Sequence, residues 1–170
     1  FDKAFETNKE FKDITIELLR HKVPLHIGGM SDPFQTREWA LKLNYKMIEL
    51  SNKYQYPLIF STKSAYLPDE YFEILDPKLH AFQISLFAYD EEFLRKYETN
   101  TPSPQARIDF IKRLKSKGFW VSVRLQPLID IEQAIKLCKA IDGIVDYITV
   151  EHLKIPNDNK NYLNKKKKRD

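Results

Sequence analysis

The sequence predicts an α/β fold: a partial (β/α) barrel of parallel strands with outer helices, missing its first β/α unit. Short apolar runs alternate with longer segments of helical period, the signature of parallel βαβ units rather than of a sandwich. Five such runs occur, each preceded by a helical segment and spaced at the size of a βαβ crossover, too few to close an eight-stranded barrel. The chain also opens on a helical pattern, and in a β/α repeat that implies a strand before it.

The first helical segment, Lys9 to His21, carries Phe11, Ile14, Leu18 and Leu19 at near-helical spacing and leads into a strand at Val23 to Ile27. Thr36 to Tyr54 places Trp39, Leu43, Met47 and Leu50 on one face of a single helix before the strand Tyr56 to Ser61. Pro68 and Asp69 start a shorter helix running to Leu75, and Ala81 to Phe87 is the third strand. Ser103 caps a helix whose first residue is Pro104 and whose end at Lys117 meets Gly118, the left-handed stop. Phe119 to Leu125 then reads as the fourth strand, Ile131 to Ile141 as a helix ending near Gly143, and Asp146 to Glu151 as the last strand.

Composition narrows the class. With 170 residues, 42% of them hydrophobic and 13% aromatic, the chain fits one domain with a real core. No apolar run reaches membrane-spanning length, and the charged start FDKAFETNKEFKD lacks the apolar stretch of a signal peptide, so the expectation is a soluble, cytoplasmic protein with no membrane partner. Lys160, Lys165 to Lys168 and Arg169 against Asp170 account for more than the whole net charge of +4, and the rest of the chain is near neutral. The basic signal therefore belongs to a tail at 157–170, expected to be disordered, beyond a domain at 1–156; an isolated cluster of this kind argues against a dedicated nucleic-acid patch. Cys138 stands alone, so no internal disulfide and no cysteine-built metal site can be completed. His21, His26, His80 and His152 lack the spacing of a zinc site, His26 reads as a core histidine within its strand, and no Ser-His-Asp or Cys-His arrangement follows from spacing. No metal ligands are expected within the chain.

In a parallel repeat the residues just after each strand gather at one mouth, where such folds keep their ligand sites. Here they are GGMSDPF, TKS, LFAYD, QPL and EHLK. Gly28 and Gly29 let the backbone turn tightly and expose its polar groups, while Asp32 and Pro33 are turn formers; GxGxxG is absent. Lys63 either points to solvent or reaches across the mouth to an anion. Ser85 is a hydroxyl in an apolar strand and equally reads as a satisfied core serine. Arg124 and Gln126 project to one side of their strand, and an inward arginine needs an anionic ligand or a carboxylate, for which Glu151 and Asp32 are the candidates. Arg107, in the helix capped by Ser103, reads as surface charge.

Taken in order, PLHIGGMSDPFQTRE, IFSTKS and QISLFAYDEEFLRKYETNTPSPQARIDFIKRLKSKGFWVSVRLQPLI resemble the radical S-adenosylmethionine superfamily, in its spore photoproduct lyase-like branch, over about residues 20 to 156. The resemblance implies a partial (β/α)6 barrel that holds S-adenosylmethionine across its strand ends beside a 4Fe-4S cluster, with an electron donor as partner. It implies a 5′-deoxyadenosyl radical that abstracts hydrogen, and, through the lyase branch, a nucleic acid substrate and DNA repair. Residue by residue, it implies that the turn at Gly28, Gly29, Met30, Ser31 and Asp32 takes the methionine amino group, that Lys63 meets the carboxylate with Arg107 as a second candidate, and that Ser85 lies near the ribose. Glu98 is matched as the acidic partner of Arg107, while Gln126 falls near the adenine or the substrate and Arg124 is counted among the cofactor-binding residues. Two departures qualify this. The cluster motif CxxxCxxC is absent, so the chain is expected to be a central part that is inactive alone, or else a cluster-free binding module; and Met30, Ser31 and Asp32 stand where many members place a Glu.

Overall fold

The computed structural model describes Phe5 and residues 14–153. Its elements are α1 (Ile14–Arg20), β1 (Leu25–Ile27), α2 (Thr36–Leu41), α3 (Leu43–Tyr54), β2 (Leu58–Thr62), α4 (Asp69–Ile74), β3 (His80–Ser85), α5 (Glu91–Arg95), α6 (Pro104–Ser116), β4 (Trp120–Leu128), α7 (Ile131–Ile141) and β5 (Tyr147–His152). All five strands pair in parallel and lie side by side in chain order. Because parallel crossovers share one hand, a sheet wound without reversing its order keeps its helices on one face and curls like part of a barrel. The α/β fold, with five parallel strands in one open sheet, is therefore the one the sequence anticipates.

Alternation separates the two faces. Leu58, Phe60, Phe82, Ile84, Val121 and Val123 are fully buried and belong to one core with Ile108, Ile111 and Leu114 of α6 and Leu137 and Ile141 of α7. Phe82 sits at its centre, with ring centroids 5.3 Å from Phe119 and 5.7 Å from Phe60. Their sequence neighbours Ile59, Ala81, Gln83, Ser85 and Arg124 point the other way and are only partly buried.

Element ends follow local chemistry. Ser103 Oγ accepts from the Ala106 N–H at 3.2 Å, capping α6, with Pro104 in its first turn. Asp130 does the same for α7 through the Gln133 N–H at 2.9 Å. Gly118 and Gly143 take positive φ where α6 and α7 end.

Three expectations need correction. The single helix at Thr36 to Tyr54 is two helices, broken at Lys42 in the left-handed conformation with φ 50°. The cause is Glu38, which is buried and turns its carboxylate on the start of α3, accepting from the N–H groups of Asn44 (2.7 Å) and Tyr45 (3.0 Å) and from the Tyr71 hydroxyl (2.8 Å). Burial, reinforced by that bond to Glu38, pushes the Tyr71 hydroxyl far above its ordinary pKa. The apolar spacing ran on across this break, and Leu43, assigned to the buried face, is 62% exposed. Second, α5 was not anticipated; it is one short turn over Glu91–Arg95 with Asp90 before it. Third, His26 is exposed and not a core residue, for the reason of strand parity developed below. Residues 9–13 of the first expected helix and the basic tail at 157–170 lie outside the described residues.

Candidate functional site

The turn after β1 is welded to the end of β2. Gly28 has φ +109°, and a Cβ there would stand 2.2 Å from the Ser61 carbonyl oxygen, so only glycine lets the turn lie this close. Gly29 differs: a Cβ on it would meet nothing within 4 Å. Asp32 does the fastening. Its carboxylate accepts from Thr62 Oγ1 (2.7 Å), the Lys63 N–H (2.6 Å) and the Phe34 N–H (2.9 Å). Asp32 is thus a turn former, as its sequence suggested, and not the partner of Arg124. Met30 is left fully exposed.

Lys63 reaches back from the end of β2 into a charged cluster. Its Nζ lies 2.6 Å from Glu98 Oε1, and Glu98 Oε2 lies 2.6 Å from Arg107 Nη2. Thr101 Oγ1 donates to the same oxygen at 3.0 Å, while Arg107 Nη1 donates to the Ser85 carbonyl at 2.6 Å. Burial pushes the Glu98 carboxyl pKa up, but the hydrogen bonds and charges of Arg107 and Lys63 outweigh it and hold it below the ordinary carboxylate value. Arg107 is not surface charge: it is wholly buried, because α6 carries it inward to the end of β3 where a carboxylate and a carbonyl await it. It cannot touch a ligand in this arrangement and acts through Glu98 and Ser85.

Arg124 pairs with Glu151, as the sequence allowed, at 3.3 Å and with both groups partly exposed. A cleft of about 340 Å³ then joins Gly28, Gly29, Met30, Ser31 and Asp32 of the turn to Lys63, Ser85 and Arg124. Gln126 lies two residues beyond Arg124, partly buried and outside this lining. A second cleft of about 590 Å³ opens on the other side of the turn, toward α2 and the start of α3.

Sequence reading missed the polar string beside this cleft. His26 Nε2 is hydrogen-bonded to Ser61 Oγ, and Ser61 Oγ donates to Gln83 Oε1 at 2.9 Å. The register brings them together: Ser61 is directly opposite Gln83, and His26 is opposite Ile59, on the same face. Polar residues at alternate positions of β1, β2 and β3 were a usable signal, but only once the pairing register was known.

The cleft suits a zwitterion with a polar body. Lys63 and Arg124 offer cations, the glycine turn offers backbone oxygens and Ser85 a hydroxyl, so the residues present fit S-adenosylmethionine. They do not fit an iron-sulfur cluster, since Cys138 packs against the core from α7 and no group of metal-ligating side chains occurs among the described residues.

No family model and no curated protein matches this sequence. Solved structures do. SuiB from Streptococcus suis bound to S-adenosylmethionine aligns with a TM-score of 0.63 and 14% identity over 90% of this chain. Spore photoproduct lyase complexed with dinucleoside spore photoproduct aligns with a TM-score of 0.63 and 15% identity over 84%. A double mutant of that lyase with bound AdoMet and dinucleoside spore photoproduct gives a TM-score of 0.61 and 16% identity. The chain spans only 38% of SuiB and 44% of the lyase. No described helix is long and apolar enough to cross a membrane. The structural neighbours are radical S-adenosylmethionine enzymes, and what this chain shares with them is the partial α/β barrel fold, over most of its own length and less than half of theirs.

Proposed function

We propose that the chain is the S-adenosylmethionine-holding part of a radical S-adenosylmethionine enzyme. The observation that carries this is the cleft at the strand ends, where eight residues of the expected site meet on a fold whose neighbours include S-adenosylmethionine-bound proteins. Lys63 and Arg124 hold the methionine carboxylate, the carbonyls of the Gly28–Gly29 turn take the amino group, and Ser85 lies beside the ribose. Arg107 positions Lys63 through their shared Glu98 and fixes the end of β3. Gln126, two residues beyond Arg124, serves adenine or the substrate in this reading. Bound there, with a cluster held by cysteines from outside this sequence and an electron donor, S-adenosylmethionine supplies the 5′-deoxyadenosyl radical for hydrogen abstraction. Protein oxygens and cations orient it and exclude water.

For the substrate, the sequence likeness to the lyase branch favours damaged DNA over a peptide, with the work done in the cytoplasm. Calorimetric titration of this chain with S-adenosylmethionine tests the cofactor reading. Binding is expected, weaker by about 10- to 100-fold in Lys63→Met, the worth of one hydrogen bond to a charged group. Binding of 5′-methylthioadenosine, which has no carboxylate, should be unchanged by that substitution. No binding of S-adenosylmethionine, or an equal loss for both ligands, would overturn the assignment.

A further inference from the structure

We propose that His26 is the side-chain acceptor for the ligand's amino group, so that this face of the cleft selects a primary amine or ammonium; the proposal rests on the reading of the cleft as an S-adenosylmethionine site. Ser61 owns a single hydroxyl proton, and Gln83 Oε1, an atom that only accepts, receives it at 2.9 Å. Ser61 Oγ must therefore accept at its other contact, and the hydrogen between it and His26 sits on Nε2. A neutral imidazole protonated on Nε2 carries an acceptor lone pair on Nδ1. Among the described residues no partner takes that lone pair, and the exposed His26 lines both clefts flanking the Gly28–Gly29 turn.

The one carboxylate of the turn is engaged. Asp32 is spent on Thr62, Lys63 and Phe34, and the two positions before it are Met30 and Ser31, so the turn has no carboxylate to spare for an amine. His26 stands two residues before Gly28 on the polar face, where a ligand lying across the turn presents its amino end. Gln83 and Ser61 serve as positioning residues, locking the ring's tautomer so that an acceptor and not a donor faces the cleft.

Two measurements test this together. In the unaltered chain, S-adenosylmethionine should bind about 10- to 100-fold more tightly than its deaminated analogue, in which hydrogen replaces the amino group. In His26→Leu that preference should fall about tenfold, to what the turn carbonyls alone give, while the analogue binds as before. Nitrogen-15 NMR of the imidazole should show the Nε2–H tautomer, and Ser61→Ala should redistribute it while keeping the ring in place. A preference undiminished in His26→Leu, or a proton found on Nδ1, would overturn the assignment to His26 alone. Failure of the unaltered chain to bind S-adenosylmethionine would instead overturn the cofactor reading, and this inference with it.

Discussion

Two histidine–serine pairs lie on opposite faces of the same sheet, and their difference separates what holds this protein together from what it presents. On the helix-covered face, His80 Nε2 bonds Ser51 Oγ at 2.7 Å and His80 Nδ1 accepts from the Asp76 N–H at 2.9 Å. Both nitrogens are used and the ring is buried, a structural part. On the other face, His26 Nε2 bonds Ser61 Oγ, and the ring is exposed at the cleft. The side-chain chemistry is the same; parity along the strand decides which ring is sealed into the core and which faces the cleft.

The covered face should therefore carry most of the stability. Phe82→Ala removes the ring at the centre of the aromatic cluster and should cost about 3–5 kcal/mol, read as a lowered urea midpoint. Gln83→Ala, one residue along and on the other face, should cost less than about 1 kcal/mol, because its amide is only partly buried. Equal losses at the two positions would break the comparison.

The same division explains what the sequence makes legible. Runs such as LIFST and HAFQIS announce strands, and their buried alternates Phe60, Phe82 and Ile84 follow from apolar spacing, so the order and number of strands are readable. What spacing does not carry is register. Nothing in the sequence says that Ser61 faces Gln83, or that Arg107, 22 residues beyond Ser85, would swing inward to Glu98 and the Ser85 carbonyl. The broken helix has the same origin. Glu38 looks like one more charged helical residue until Asn44, Tyr45 and Tyr71 converge on it from other parts of the chain.

Acid gives the next test, and its sign is fixed. Burial pushes the His80 pKa down from 6.5 to about 4, against a weaker upward pull from Asp76. The unfolded ring thus binds a proton that the folded ring refuses, so its contribution is full above 6.5, declines as the pH falls, and is gone near 4. His80→Gln, which keeps a donor for Ser51 and an acceptor for Asp76, should flatten urea midpoints over that window. Carboxylates held below their ordinary values, Glu98, Asp90 and Asp146, lose their contributions at lower pH, through their own depressed pKa values. A slope untouched by His80→Gln would show that its burial is not what governs it.

The mouth can be probed at its own hinge, with a smaller expected effect on stability than at Phe82 and the largest meaning for binding. Gly28 and Gly29 look interchangeable in sequence, yet one is pressed against the Ser61 carbonyl at positive φ and the other faces open space. Gly28→Ala should cost about 1–3 kcal/mol through its backbone conformation and the displaced contact. Gly29→Ala should stay within about 0.5 kcal/mol. The more telling readout is the ring of His26, because Ser61 supplies both the carbonyl that Gly28 touches and the hydroxyl that His26 touches. An alanine that pushes the turn away from β2 must move one contact or the other, so Gly28→Ala should shift the imidazole nitrogen resonances of His26 while Gly29→Ala leaves them alone. Should both alanines behave alike, the cleft is shaped by the loop's own flexibility, and the close approach of turn to strand has no part in setting it.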